Sequence, residues 1–156
     1  MWAQLNEESL VKANAQFWEQ MLGMEMETIS NAERFCVGAG HLRASVRLSG
    51  SWTGLIEIRL AEGLARTATA AMLMQSPDVV SESDTLDAIR EIANMIGGVI
   101  KSSLPRPCAM ALPESGVAEE GLCNEPHTEA TLTVAFRHAT GGLLVKVREE
   151  ACGQRD

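Results

Sequence analysis

The 156 residues predict an α/β fold, with long helices packed on an antiparallel or mixed β-sheet of about six strands. Three observations carry that prediction. Apolar residues recur at helical spacing in two long stretches, several shorter stretches alternate with period two, and Gly, Pro and Ser clusters separate them. The order is helix, three strands, two helices, three strands.

The first helix is predicted from Asn6, an N-cap followed by Glu7 and Glu8, to Gly23 as its C′ residue. Leu10, Val11, Phe17, Trp18, Met21 and Leu22 share one face, which is read as core. "MEMETIS" alternates as a strand. "GHLRASVRLSGSWTGLIEIRLA" reads as a hairpin closed by Ser-Gly-Ser. Residues 63–75, rich in Ala and Met, predict a short helix. A longer one begins near Ser83 or Asp84 and stops before the "PRP" of residues 105–107. "CAMALP" is a short strand ending at Pro113, and "ESGVAEEGLCNEPH" a polar loop. "TEATLTVAFRH" and "GGLLVKVREE" form a second hairpin, and residues 150–156 are expected to fray. One domain, residues 1–156, accounts for the length.

A formal charge of −8, with only 13 Lys and Arg scattered along the chain, argues against nucleic acid or an anionic membrane as partner. A basic docking surface on another protein fits better. "MWAQLNEESL" has neither the positive n-region nor the apolar core of a signal peptide, and no apolar run reaches bilayer length, so a cytoplasmic location is expected. Cys36, Cys108, Cys123 and Cys152 lie far apart and are read as free thiols. Cys123 and His127 lack a second ligand pair at zinc spacing, so no metal site is expected.

The chemistry concentrates in "DAIREIANMIGGVIKSSL", residues 87–104. At about 100° per residue, Leu86, Ile89, Ile92, Ala93, Ile96, Val99 and Ile100 gather on one face, while Asp87, Glu91, Asn94, Gly98 and Lys101 line the other. Asn in a helix interior costs roughly half a kcal/mol against Ala and each Gly about 1 kcal/mol. Packing can account for Gly97, beside the apolar face. It does not account for Asn94 and Gly98 on the outer stripe, where a missing side chain lets another molecule approach the backbone.

An amide has no useful proton to titrate, so Asn94 is no general base; it can hold a water, as the water-orienting glutamine of some GTPases does. Glu91, one turn away, can pair with a cation. Together they make half an active site. The rest of the chain supplies no Gly-x-x-x-x-Gly-Lys loop, no His-Asp cluster and no Gly-x-Ser-x-Gly elbow, so a partner must bring the metal and the phosphate.

"DAIREIANMIGG", with Asp87, Glu91 and Asn94 as D-x-x-x-E-x-x-N, resembles the signature of the CheC, CheX and FliY phosphatases of bacterial chemotaxis. A single copy in a short chain is similar to CheX rather than to two-motif CheC. "FWEQMLGMEME" and "LPRPCAMALPESG" resemble the CheX segments on either side of the signature. The resemblance implies a CheC/CheX-like fold and dephosphorylation of a response regulator such as CheY. It assigns Asn94 to orienting the attacking water on the aspartyl phosphate and Glu91 to pairing with the receiver's lysine. Asp87, Arg90, Gly98 and Lys101 become partner-binding candidates. No cofactor of the chain's own is implied, since the receiver brings Mg²⁺, and homodimers joined through their sheets are expected. Arg90 departs from the family, which commonly has a small residue there, and Pro113 comes early, as in CheX-like chains. The alternative is a non-catalytic module that binds a receiver or a flagellar switch component.

Overall fold

The computed structural model describes residues 5–29, 36–123 and 131–150. Helix α1 (Glu7–Leu22) starts as its caps dictate: the Asn6 side chain accepts from the Ser9 N–H at 2.8 Å, and the Ser9 hydroxyl accepts from the Asn6 N–H at 2.9 Å. It ends at Gly23, left-handed at φ 66°, as predicted. The alternating segment that follows contributes only β1 (Glu27–Ile29), and Cys36–Val37 forms a short strand, β2, that the pattern did not announce.

The first hairpin, β3 (Leu42–Gly50) and β4 (Gly54–Leu60), turns at the predicted Ser-Gly-Ser. Helices α2 (Glu62–Leu73) and α3 (Glu82–Lys101) follow, α3 capped by the Ser81 hydroxyl, which accepts from the Asp84 N–H at 3.0 Å. The next segment differs from the prediction. Strand β5 (Cys108–Met110) stops before Pro113, and β6 (Glu114–Val117) begins directly after it, inside what was read as polar loop. Proline has no N–H to continue a ladder, so the segment breaks there and both pieces pair antiparallel with β3, β5 opposite Leu48–Gly50 and β6 opposite Leu42–Ser45. Strand β7 (Leu122–Cys123) pairs with β2 as a separate ribbon, and β8 (Thr131–His138) and β9 (Gly141–Glu149) form the second predicted hairpin.

The result is a seven-stranded sheet, one more than expected, ordered β1-β8-β9-β4-β3-β5 with β6 also on β3, and every pairing is antiparallel. All three helices lie on one face. Their core rests on the inward rows Ala44, Val46, Leu48 and Ile56, Ile58, Leu60, buried against Leu64, Ile89, Ile92, Ile96 and Trp18. The opposite face alternates to Arg43, Arg47, Glu57, Arg59, Lys146 and Arg148, with Arg43 directly across from Arg59. Arg59 is tied to Glu57 at 3.2 Å and to the His41 ring at 3.1 Å.

Two apolar residues assigned to the core are not there. Met21, in the last turn of α1, is 59% exposed, and Val99, on the flank of α3, is 43% exposed. Asn14 is buried instead, its amide N–H donating to Leu10 O at 3.0 Å while its Oδ1 has no hydrogen-bond partner. The thiol reading changes as well: Cys108 is free and buried, but Cys36 is disulfide-bonded. His127, Cys152 and the Cys123 side chain lie outside the described residues, as does the terminal tail apart from Glu150, whose N–H donates to Thr53 O at 2.8 Å.

Candidate functional site

Helix α3 packs its ridge of Ala88, Ile89, Ile92, Ala93, Ile96, Gly97 and Ile100 into the sheet and the neighbouring helices, and this fixes which residues point away. Asp87, Glu91 and Gly98 are exposed, and Asn94 and Lys101 are half-buried at the edge of the stripe. Neither Glu91 nor Asn94 makes a side-chain hydrogen bond or ion pair with any described residue. An unpaired carboxylate and an unpaired amide one turn apart, on a helix held rigidly from behind, are free to serve an external ligand.

The two glycines divide as their faces require. A Cβ on Gly97 would come within 2.8 Å of Val46 Cγ1, so this glycine lets the helix lie close on β3. A Cβ on Gly98 would meet nothing within 4 Å. Its lack of a side chain serves no internal packing.

Asp87 and Arg90 were both partner-binding candidates, and the structure turns them toward each other. Their side chains form an ion pair across one helical turn. Arg90 also reaches the Ser115 hydroxyl at 3.4 Å, and that hydroxyl donates to Leu86 O at 2.9 Å. Arg90 is thereby drawn to the β6 side of α3, leaving Glu91 and Asn94 uncovered. Ser115 carried no signal in the sequence, because its contact with α3 exists only once β6 has paired with β3.

On the other side of the stripe lies a groove between α1 and α3, about 520 Å³, with Ala13, Phe17, Met21, Met95 and Val99 as its apolar lining and Gln16, Gln20, Gly98 and Ser102 completing it. Toward the end of α3 it continues into a second opening of about 690 Å³, lined by Gly98, Lys101, Ser102, Arg106, Pro107 and Cys108. Gly98 and Ser102 belong to both. Gly98 and Lys101 were sequence candidates, but Arg106 and the other groove residues were not; Met21 and Val99, read as core yet exposed, were the available clue, since both sit at the margin of an apolar face. Among the described residues, no group of three or more His, Cys, Asp and Glu side chains could hold a metal ion, and no helix is long and apolar enough to cross a membrane.

Solved structures share this architecture. The chemotaxis protein CheX from Vibrio vulnificus is 19% identical, with 92% of this chain and 95% of that chain covered at a TM-score of 0.71. CheX in the CheX–CheY–BeF₃–Mg²⁺ complex from Borrelia burgdorferi is 16% identical, with 92% and 97% covered at 0.64. Thermotoga maritima FliY is 16% identical, with 90% and 84% covered at 0.59. At these identities the likeness is one of fold. No curated protein matches the chain in sequence. The family model described as chemotaxis phosphatase CheX matches residues 42–137, which include both the first hairpin and the whole of α3. That match spans more than half of the sequence, and the chain therefore belongs to the CheX family.

Proposed function

We propose that the protein is a response-regulator phosphatase that hydrolyses the aspartyl phosphate of a CheY-like receiver. The observation that carries the reading is the unpaired Glu91 and Asn94 on the outward face of a helix whose next turn is opened by Gly98. Membership of a phosphatase family and the CheX–CheY complex from Borrelia burgdorferi, which contains BeF₃ and Mg²⁺, support the choice of partner.

In this mechanism α3 lies across the receiver's phosphorylation site. Glu91 pairs with the receiver's lysine and fixes the register of the two proteins. The Asn94 carboxamide accepts one hydrogen bond from a water and holds its oxygen in line with the phosphorus. The water oxygen bonds to phosphorus, the bond to the aspartyl oxygen breaks, and the receiver's carboxylate leaves with its electron pair. Inorganic phosphate and a free aspartate result. The Mg²⁺ that offsets the phosphoryl charge comes from the receiver, so the chain contributes positioning alone. We further propose that it acts as a homodimer, in the cytoplasm where phosphorylated receivers act.

The test is the decay of ³²P-labelled CheY-like receivers with and without the protein. Accelerated decay is expected, with Asn94→Ala losing about a hundredfold of the acceleration while binding to the BeF₃-loaded receiver persists. Glu91→Ala should weaken binding as well. Binding without faster decay, for every receiver tried, would replace this reading with that of a non-catalytic module.

A further inference from the structure

We infer that the α1–α3 groove is the apolar anchor of the receiver interface, taking one or two aliphatic or aromatic side chains from the receiver surface beside its phosphorylated aspartate. The inference rests on the proposed phosphatase reading for its partner, and on the groove itself for its chemistry.

The stripe cannot supply much affinity by itself. Its groups are charged or polar and close to water, and contacts of that kind contribute little beyond orientation. Tight but reversible association needs a desolvated apolar contact near its centre. The groove is the apolar feature adjoining the stripe. With the stripe's axis on Asp87, Arg90 falls about 60° to one side, while Ser102, Met95 and Val99 fall about 60°, 80° and 120° to the other. The β6 side is occupied by the chain's own Arg90–Ser115 contact, so the free flank is the one that faces α1.

The lining suits a side chain better than a metabolite. Phe17 forms a buried wall, Met21 and Val99 stand exposed at the rim, and Met95 is half-buried between them. Two methionines in a groove of about 520 Å³ give a surface that can adjust to an incoming side chain. Gly98 is common to the stripe and to both openings, so a molecule seated over Asn94 with its backbone close to Gly98 stands at the edge of the groove. Lys101 and Arg106 border the far opening and favour a partner that is anionic there, as one carrying an acyl phosphate is.

The double variant Met21→Gln/Val99→Thr keeps the side-chain shapes and removes the apolar rim. Both residues are exposed, so its melting temperature should match that of the parent. Met74→Gln, at a position 92% exposed on the end of α2, is the control. The dissociation constant for a BeF₃- and Mg²⁺-loaded receiver, measured by calorimetry, should rise about tenfold in the double variant and stay within twofold in the control. The magnitude of the negative heat-capacity change of binding should fall. Where dephosphorylation is measured, the half-saturating receiver concentration should rise while the maximal rate stays within twofold, the reverse of Asn94→Ala. An unchanged dissociation constant would overturn the anchor. A change confined to the protein's self-association would overturn it too, by assigning the groove to a second copy. If the parent binds the receiver without hydrolysing it, the phosphatase reading fails, and the dissociation constants still decide the groove.

Discussion

Gly97 and Gly98 are adjacent, chemically identical and opposite in consequence. Gly97→Ala places a methyl group against Val46 Cγ1 beneath the helix, and should destabilise the protein by about 1–3 kcal/mol, read as a lowered denaturant midpoint. Gly98→Ala meets open space and gains helix propensity, so it should stabilise by about 1 kcal/mol while weakening receiver binding, because the new methyl group stands where the partner's surface approaches. Stability and binding moving in opposite directions is the signature of a glycine kept for a partner. The outward position of Gly98, with Asn94 and Glu91, was legible in the sequence from helical spacing alone. The fate of Asp87 and Arg90 was not. Their angular separation of about 60° said that they were neighbours, but the Ser115 hydroxyl that draws Arg90 aside lies on strand β6, 25 positions along the chain.

At the scale of elements, the helices were readable because caps and periodicity agreed: Asn6, Gly23 and the "PRP" breaker bound α1 and α3 closely. Strand β5 was foreseen in "CAMALP", but β6 beyond Pro113 was not. Its four residues are too short to display a period, and the pairing of β5 and β6 with opposite ends of β3 is a tertiary fact. The same holds for the contact between α1 and α3. Spacing assigned Met21 to the core and passed over Asn14, yet Asn14 is fully buried beside Phe17, Ile96 and Ile100 with its Oδ1 unpartnered. An unsatisfied buried acceptor is costly, and an apolar side chain of similar volume removes that cost. Asn14→Leu should therefore raise stability by about 1 kcal/mol, seen as a melting temperature higher by about 2–4 °C, without changing receiver decay.

For the whole molecule, the layer arrangement was foreseeable and its edges were not. Helix–strand order implied helices on a sheet, and the two hairpins gave four of the seven strands; the register that brings β9 beside β4, and so joins the hairpins into one sheet, appears only in the folded chain. With all helices on one face, the other face and the strand edges are what the sheet can offer to a second copy. The proposed homodimer predicts a light-scattering mass twice that of the chain, and this should persist in Met21→Gln/Val99→Thr, whose substitutions lie on the helical side. A monomer at high concentration would contradict it.

Helix α3 has no independent existence: β3 lies beneath it, α1 and α2 lie beside it, and β6 is fastened to its first half through Ser115. Its exposed stripe is the reverse side of the main core. The residues proposed for the chemistry thus cannot loosen locally in the manner of an active-site lid, and amide hydrogens along α3 should exchange with solvent only when the entire fold opens. On heating, receiver dephosphorylation and the cooperative unfolding transition should then vanish together, so that evolutionary change in the core and evolutionary change in the partner surface are drawn from the same twenty residues.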